Sequence, residues 1–338
     1  MELATLFEEY RGDTLECVHN GMVAVVDESG MIQSCGDTQW YCFFRSCSKP
    51  IQSLPLIQRG IDKKYGLTEE ETAMFSASHY GDPYHIALLE SILQKTGLRE
   101  EQLIMRAIYP DRESERMRLL RENLPPRKLF HCCSGKHLGM LLLSREMGED
   151  LENYWKVNSR VQQEILEVIS KMTDIPVYRI KIAVDGCGVP VYAVPFHSIA
   201  TAFLRLQCPS LVEDEILREA VMRNVAMIHR YPNTIAGENV VCSIMASDPD
   251  VLGKSGAAGV YALGIQSRRI GVVSKVMDGS HDEFGSIVRH ICERLNYETD
   301  ATRRLAECYS DIIYNSNGDP IGERRAVFDL KPTGRGEE

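Results

Sequence analysis

Strand-like sequence stands at both ends of this chain and helix-like sequence fills its middle, an order that restricts the folds open to it more than any other feature. Residues 14–36, TLECVHNGMVAVVDESGMIQSCG, alternate apolar and polar side chains around an Asp-Glu-Ser-Gly turn, the pattern of antiparallel strands. Residues 40–45 read as one more strand. Toward the other end, AGVYALGI, a polar QSRR turn and RIGVVSKVMDG form a second hairpin, followed by the amphipathic stretch DEFGSIVRHICERLN. In between, TEEETAMFSAS opens with Thr68 and Glu71 at capping-box spacing, DPYHIALLESILQKTG offers Asp82 as N-cap with Pro83 at the first helical position, and residues 159–172 and 211–229 repeat their apolar side chains at helical period. Helices therefore dominate residues 46–250, interrupted by a strand near 179–184. Strands at both ends predict an α+β fold in which one mostly antiparallel sheet, built from residues 14–45 and 251–330, is completed by both ends of the chain. The large helical middle packs against it, and residues 1–338 form a single unit. The tail PTGRGEE reads as frayed.

A quarter of the 338 side chains are charged, and no run of about 18 apolar residues interrupts them, so a soluble protein with a sizeable core is expected. The formal charge of −10, with no cluster of Lys and Arg interleaved with aromatics, argues against a nucleic-acid or anionic-membrane surface and for a small-molecule partner. The acidic start MELATLFEEYRGD lacks the basic, apolar and small-residue regions of a secretory signal, which predicts a cytoplasmic protein. Eleven cysteines, odd in number and irregularly spaced, read as reduced thiols.

The stretch CFFRSCSKPIQ sets Ser46 three places before Lys49 where strand gives way to helix. A serine hydroxyl becomes a nucleophile when a neighbouring base takes its proton, and lysine is such a base only when its amine, with a free pKa of about 10.4, is neutral. If Ser46 begins a helix, Lys49 lies one turn away, and the positive helix N-terminus together with Arg45 opposes protonation of the amine. Pro50 requires the helix to start close to Lys49. Such a spacing also arises by chance, and taken alone it is read more readily as a serine cap followed by a solvated lysine. Two further stretches add weight. VLGKSGAAG places Lys254-Ser255-Gly256 in a strand context, as the K-[ST]-G element stands in serine β-lactamases and penicillin-binding proteins, although a surface cation on an edge strand is the plainer reading of Lys254. SASHYGDP puts Ser78 at a helix end, about where the S-x-N element of those enzymes falls, with Tyr80 in place of the Asn.

Thiols gather at element ends. FHCCSGKHLGM opens a helix at Ser134 or Gly135, and AVDGCGVP sets Cys187 in a tight turn after a strand. His131, Cys132, Cys133, His137 and Cys187 include zinc donors, but not at the spacing of closed structural sites, and Lys136 by itself reads as an anion-binding or structural residue.

Together RSCSKPIQ, SASHYGDPYH, CSGKHLGM, DGCGVPVYAVP and GKSGAAGV resemble the L-asparaginase II family, whose fold is similar to that of serine β-lactamases. The resemblance runs from about residue 15 to about residue 275 and implies an amidohydrolase. It carries two Ser-Lys pairs onto Ser46 with Lys49 and Ser78 with Lys254. It also implies zinc held by Cys133, Lys136 and Cys187 with a water in the remaining position, and a homodimer. Arg45 is a candidate for the substrate carboxylate and Asp185 for the substrate ammonium, though an ordinary surface ion pair also explains Arg45 and a turn-forming role explains Asp185 nearly as well. The expected reaction is hydrolysis of L-asparagine through an acyl-enzyme on Ser46. A β-lactamase or D-Ala peptidase-like serine hydrolase and a non-enzymatic zinc or redox cysteine protein are the alternatives. The chain departs from the family's pattern at Cys132, usually Asn, at Ala258, usually Glu, and in AGENVVCSIM, which lacks the common Gly-Arg and Asp-Thr. These departures bear on substrate affinity and specificity more than on the class of reaction.

Overall fold

Fourteen residues of unbroken strand, Thr14–Asp27, run through the centre of a nine-stranded antiparallel sheet in a computed structural model that describes residues 2–280 and 284–333. The strands are β1 (Ala4–Arg11), β2 (Thr14–Asp27), β3 (Gly30–Cys35), β4 (Tyr41–Phe43), β5 (Lys181–Val184), β6 (Pro190–Pro195), β7 (Val251–Gly256), β8 (Val260–Ile265), β9 (Ile270–Val276), β10 (Ile312–Tyr314), β11 (Pro320–Ala326) and β12 (Lys331–Pro332). Chain contacts divide these residues into two units. One comprises residues 1–47, 194–208 and 247–338, the other residues 48–193 and 209–246.

The sheet of the first unit runs β10-β11-β1-β2-β9-β8-β7, with β3 on β2 and β12 on β3. Both chain ends therefore build one sheet, as expected, through the pairing of β2 with β9 (Val23 opposite Ser274, Val25 opposite Val272). The α+β class follows the sequence pattern. The first strand does not: ATLFEEYR holds Leu6 and Phe7 wholly buried and pairs with β11, its partner more than 300 residues away. The tail read as frayed is held at its start, where Pro332 pairs with Gln33 in β12 and Thr333 donates to the Met31 and Ile32 carbonyl oxygens; residues 334–338 lie outside the described residues.

Two helices cover opposite faces of the sheet. Side chains alternate along a strand, so Gly264 and its cross-strand partner Gly271 face one way and Tyr261 the other. The helix Phe196–Gln207 rests on the glycine face so closely that a Cβ on Gly271 would stand 1.9 Å from the Ala200 carbonyl oxygen, and one on Gly264 2.2 Å from that of Phe203. On the other face the helix Phe284–Arg294 sets Phe284 against Tyr261, ring centroids 6.0 Å apart. Since backbone, not a flexible side chain, meets the added methyl group, Gly271→Ala is expected to lower stability by about 1–3 kcal/mol. Chemical denaturation checks this, and an unchanged midpoint would contradict it. The helix 196–207 belongs with the sheet, although its sequence lies inside the stretch 46–250 that reads as helical middle.

The second unit is helical, with one hairpin in which β5 pairs with β6. Its central helix, Ser134–Glu146, is buried from Ser134 to Ser144 and begins where the sequence places it. Gly135 and Gly139, one turn apart, let this helix lie against the Met74–Ser76 turn: a Cβ on Gly135 would come within 2.3 Å of the Met74 carbonyl oxygen. The capping box of Thr68 and Glu71 forms. Asp82 does stand at the N-cap of Pro83–Thr96, but its side chain makes no capping bond, because Arg112 takes both carboxylate oxygens. The periodic stretch at 211–229 forms a helix over Glu215–Arg230, capped by the Asp214 side chain.

Candidate active site

The chain leaves β4, passes through a 3₁₀ turn at Arg45–Ser48 that carries Ser46, and enters the helix Lys49–Gln52, where Pro50 sits in the first turn. The helix thus starts where Pro50 requires. Arg45 adopts a left-handed φ of 50°, a conformation that costs a non-glycine residue free energy and persists only when its surroundings impose it. Within the sheet unit that imposition comes from β7. The Cys47 thiol donates to the Lys254 carbonyl oxygen at 2.9 Å, and a Cβ on Gly256 would stand 2.7 Å from the Phe44 carbonyl oxygen. The glycine of K-S-G is what allows the strand to approach the turn that bears Ser46. Lys254 is fully buried, its Nζ donating to the Ser255 carbonyl oxygen at 3.0 Å. The reading of Lys254 as a surface cation is therefore corrected: β7 is an edge strand, but this side chain lies on its covered face.

Lys49 is also fully buried. Its Nζ donates to the Ala77 carbonyl oxygen at 2.7 Å, to Ser78 Oγ at 2.8 Å and to the Cys132 carbonyl oxygen at 3.1 Å. The amine thus bonds Ser78, where the sequence motifs join Lys49 to Ser46 and Ser78 to Lys254. Two features hold it that sequence reasoning missed. Asn224, wholly buried on Glu215–Arg230, donates to the Pro50 carbonyl oxygen at 2.8 Å and to Ser53 Oγ at 3.2 Å, while its own carbonyl accepts from Ser76 Oγ at 3.3 Å. One side chain so ties the Lys49 helix to the turn preceding Ser78. His79, also buried, accepts the Gly81 N–H on Nδ1 at 3.1 Å, which leaves Nε2 to donate to Ser134 Oγ at 2.8 Å. Burial, with the charges of His85 and Lys49, holds its pKa well below the usual histidine value, so this imidazole is a neutral brace for the loop that carries Ser78. A polar residue on an otherwise apolar helix face was the one available sign of Asn224.

The third group is the thiol cluster. Cys133 and Lys136 sit at the start of the central helix and Cys187 in the turn after β5, all at most 5% exposed. Lys136 Nζ lies 3.2 Å from Cys187 Sγ, and Cys133 shares a hydrogen bond with Cys187. Bonds from Cys132 and Cys187, reinforced by the charges of Lys49 and Lys136, hold the Cys133 thiol well below its ordinary pKa, despite burial. Burial opposes the charge on Lys136, but the thiol charges of Cys133 and Cys187 and the carboxylate of Asp185 outweigh it and push that amine's pKa up. Asp185 serves the turn, accepting the Gly186 N–H on Oδ1 at 2.9 Å, and directs Oδ2 at the cluster, 3.8 Å from Lys136 Nζ and 3.7 Å from Cys187 Sγ. Ligands on one tetrahedral zinc, at about 2.0–2.3 Å from the ion, stand about 3.3–3.8 Å from one another. Two buried thiols and an amine, with Lys136 Nζ close to Cys187 Sγ, are a donor set that fits a zinc ion, provided binding displaces their protons.

The sequence profile of the L-asparaginase II family matches residues 7–326. The chain belongs to that family. Membership makes it an amidohydrolase and sets aside the non-enzymatic thiol protein. No curated protein matches the sequence. Solved structures similar to this L-asparaginase II family member include a probable glutaminase, YbaS (15% identity, 82% of this chain and 86% of that one, TM-score 0.45). A β-lactamase from Mycobacterium bovis (12%, 81% and 94%, 0.38) and a D-alanine carboxypeptidase from Burkholderia cenocepacia (14%, 85% and 93%, 0.39) are others. No helix among the described residues is long and apolar enough to cross a membrane.

Proposed function

We propose that the protein hydrolyses the side-chain amide of L-asparagine to L-aspartate and ammonia through an ester on Ser46. The observation that carries this reading is the hydrogen-bond arrangement at Lys49. A neutral amine has two N–H bonds and one lone pair. The two carbonyl oxygens of Ala77 and Cys132 take those N–H bonds, so in the neutral amine the third contact reverses and the lone pair accepts from the Ser78 hydroxyl, 2.8 Å away. A buried lysine set out in this way is a base in waiting, and Ser46 stands one helical turn before it in the chain.

Lys49 takes the proton of Ser46 as Oγ attacks the amide carbon. The proton passes from Lys49 to the amide nitrogen, the C–N bond breaks, and ammonia leaves an aspartyl ester. Water then attacks the ester carbon, giving its proton to Lys49, and the Ser46 oxygen leaves with that proton. Backbone N–H groups at Ser46 and on the strand after Lys254 are the oxyanion donors, each expected to contribute about 10²–10³ in kcat. Ser78, bonded to Lys49, relays protons together with Lys254. Arg45 receives the substrate carboxylate and Asp185 the substrate ammonium. Zinc held by Cys133, Lys136 and Cys187 would supply a fixed positive charge that orients the amide.

The test is ammonia release from L-asparagine, L-glutamine and a simple aliphatic amide, beside opening of a chromogenic penicillin. Release from L-asparagine with an intact penicillin is the expected result. Penicillin opening without ammonia release would replace this reading with that of a β-lactamase-like hydrolase.

A further inference from the structure

We infer that Lys275 is the second cation of the substrate-carboxylate subsite, binding the α-carboxylate of L-asparagine beside Arg45; the inference rests on the asparaginase reading proposed above. Gly256, Val260 and Lys275 stand opposite one another on β7, β8 and β9. Residues paired in this way across antiparallel strands project to the same face of the sheet. On that face a Cβ at Gly256 would stand 3.1 Å from the Arg45 Cβ, so the turn that bears Arg45 and Ser46 lies on the side to which Lys275 points. Two strand spacings, about 10 Å, separate the backbones of Lys275 and Gly256. The lysine side chain reaches back across this gap: its Nζ donates to the carbonyl oxygen of Ala258, in the turn joining β7 to β8, and to that of Val276 at 3.3 Å.

Both acceptors are carbonyls, and among the described residues Lys275 forms no ion pair, although it is only 8% exposed. A cation so far out of water is normally met by an anion. Asp278, three residues on, is engaged elsewhere, by His19 Nδ1 at 2.6 Å and by the Ser280 N–H at 2.8 Å. Burial holds the Lys275 amine below its ordinary pKa, and the charge of Arg45 acts in the same direction, against the opposing charges of Cys42 and Asp278. Arg45 and Lys275 are thus within electrostatic reach of each other. An ammonium has three N–H bonds, and the two carbonyls take two of them. The third, together with the Arg45 guanidinium, offers a carboxylate charge-assisted bonds from two sides. Of the substrate's charged groups, the ammonium is repelled by this pair and the carboxylate alone suits it.

The test compares L-asparagine with 3-aminopropanamide, which keeps the amide and the ammonium but lacks the carboxylate. Lys275→Met is expected to raise KM for L-asparagine by about 10–100-fold with kcat within about twofold of wild type, the signature of a contact made equally in the ground and transition states. With 3-aminopropanamide its kcat/KM should match that of wild type, a result that a merely structural role would not give. Ala258→Glu keeps the lysine but sets a carboxylate beside its amine, testing the same contact without emptying the buried position; KM for L-asparagine is expected to rise about 10-fold. A thermal melt verifies that each variant is folded. An unchanged KM for L-asparagine in either folded variant, or an equal loss on both substrates in Lys275→Met, overturns the inference and leaves the asparaginase reading standing. Absence of ammonia release from L-asparagine by the wild type overturns both.

Discussion

Ser46→Ala is expected to abolish ammonia release from L-asparagine, lowering kcat by about 10³-fold or more, with no loss of fold. The magnitude follows from the role proposed for the hydroxyl. Without Oγ no ester forms, and any residual rate has to come from water acting in a pocket that still binds the substrate and its oxyanion. The fold should survive because Ser46 is half-buried and lies in a turn held by other groups: the Cys47 thiol on the Lys254 carbonyl and the close approach of Gly256 to Phe44. Steady-state kinetics with a thermal melt checks both halves. A variant that melts normally and still turns over at the wild-type rate would show that the attacking group is elsewhere. Metal content belongs in the same experiment, because the thiol cluster does not contain Ser46 and should be unaffected.

Lys49→Met is expected to be as inactive as Ser46→Ala and, unlike it, less stable. The side chain is wholly buried, and removing its amine leaves the carbonyl oxygens of Ala77 and Cys132 without the donor that now reaches them. A buried acceptor deprived of its partner costs about 1–3 kcal/mol, a loss partly offset because burying an amine is itself unfavourable. The expected net result is a destabilisation of about 1–3 kcal/mol with a kcat lowered by about 10³-fold or more. Denaturation and kinetics on one preparation separate the two effects. A stable, active Lys49→Met protein would remove the base from the mechanism.

Much of this arrangement can be read from the chain before any coordinates. The hairpin around residues 27–30, the capping box at Thr68 and Glu71, the helix start at Ser134 and the turn at Cys187 are set by interactions within a few residues, and local sequence carries them. The five motifs also lead to the family without the fold. What local sequence does not carry is a partner far away in the chain. ATLFEEYR becomes a strand because β11 lies alongside it, and FHSIATAFLRLQ joins the sheet unit because two glycines on distant strands make room for its backbone. Lys254 reads as exposed until its strand is seen to be covered. Asn224 and His79 are single polar residues whose importance comes from what they reach: the Pro50 carbonyl in one case, Ser134 in the other. Asp82 shows the opposite effect, since a good local signal for a capping side chain yields to Arg112, a stronger partner brought in by the fold.

The central claim is a covalent bond between Ser46 and the substrate acyl group, and rapid acid quenching during turnover of L-asparagine, followed by peptide mass mapping, observes that bond directly. The account predicts one aspartyl group on the peptide containing Ser46, absent from Ser46→Ala and trapped to a smaller extent as the quench is delayed until substrate is exhausted. Full turnover with an unmodified Ser46 peptide at every quench time would contradict it.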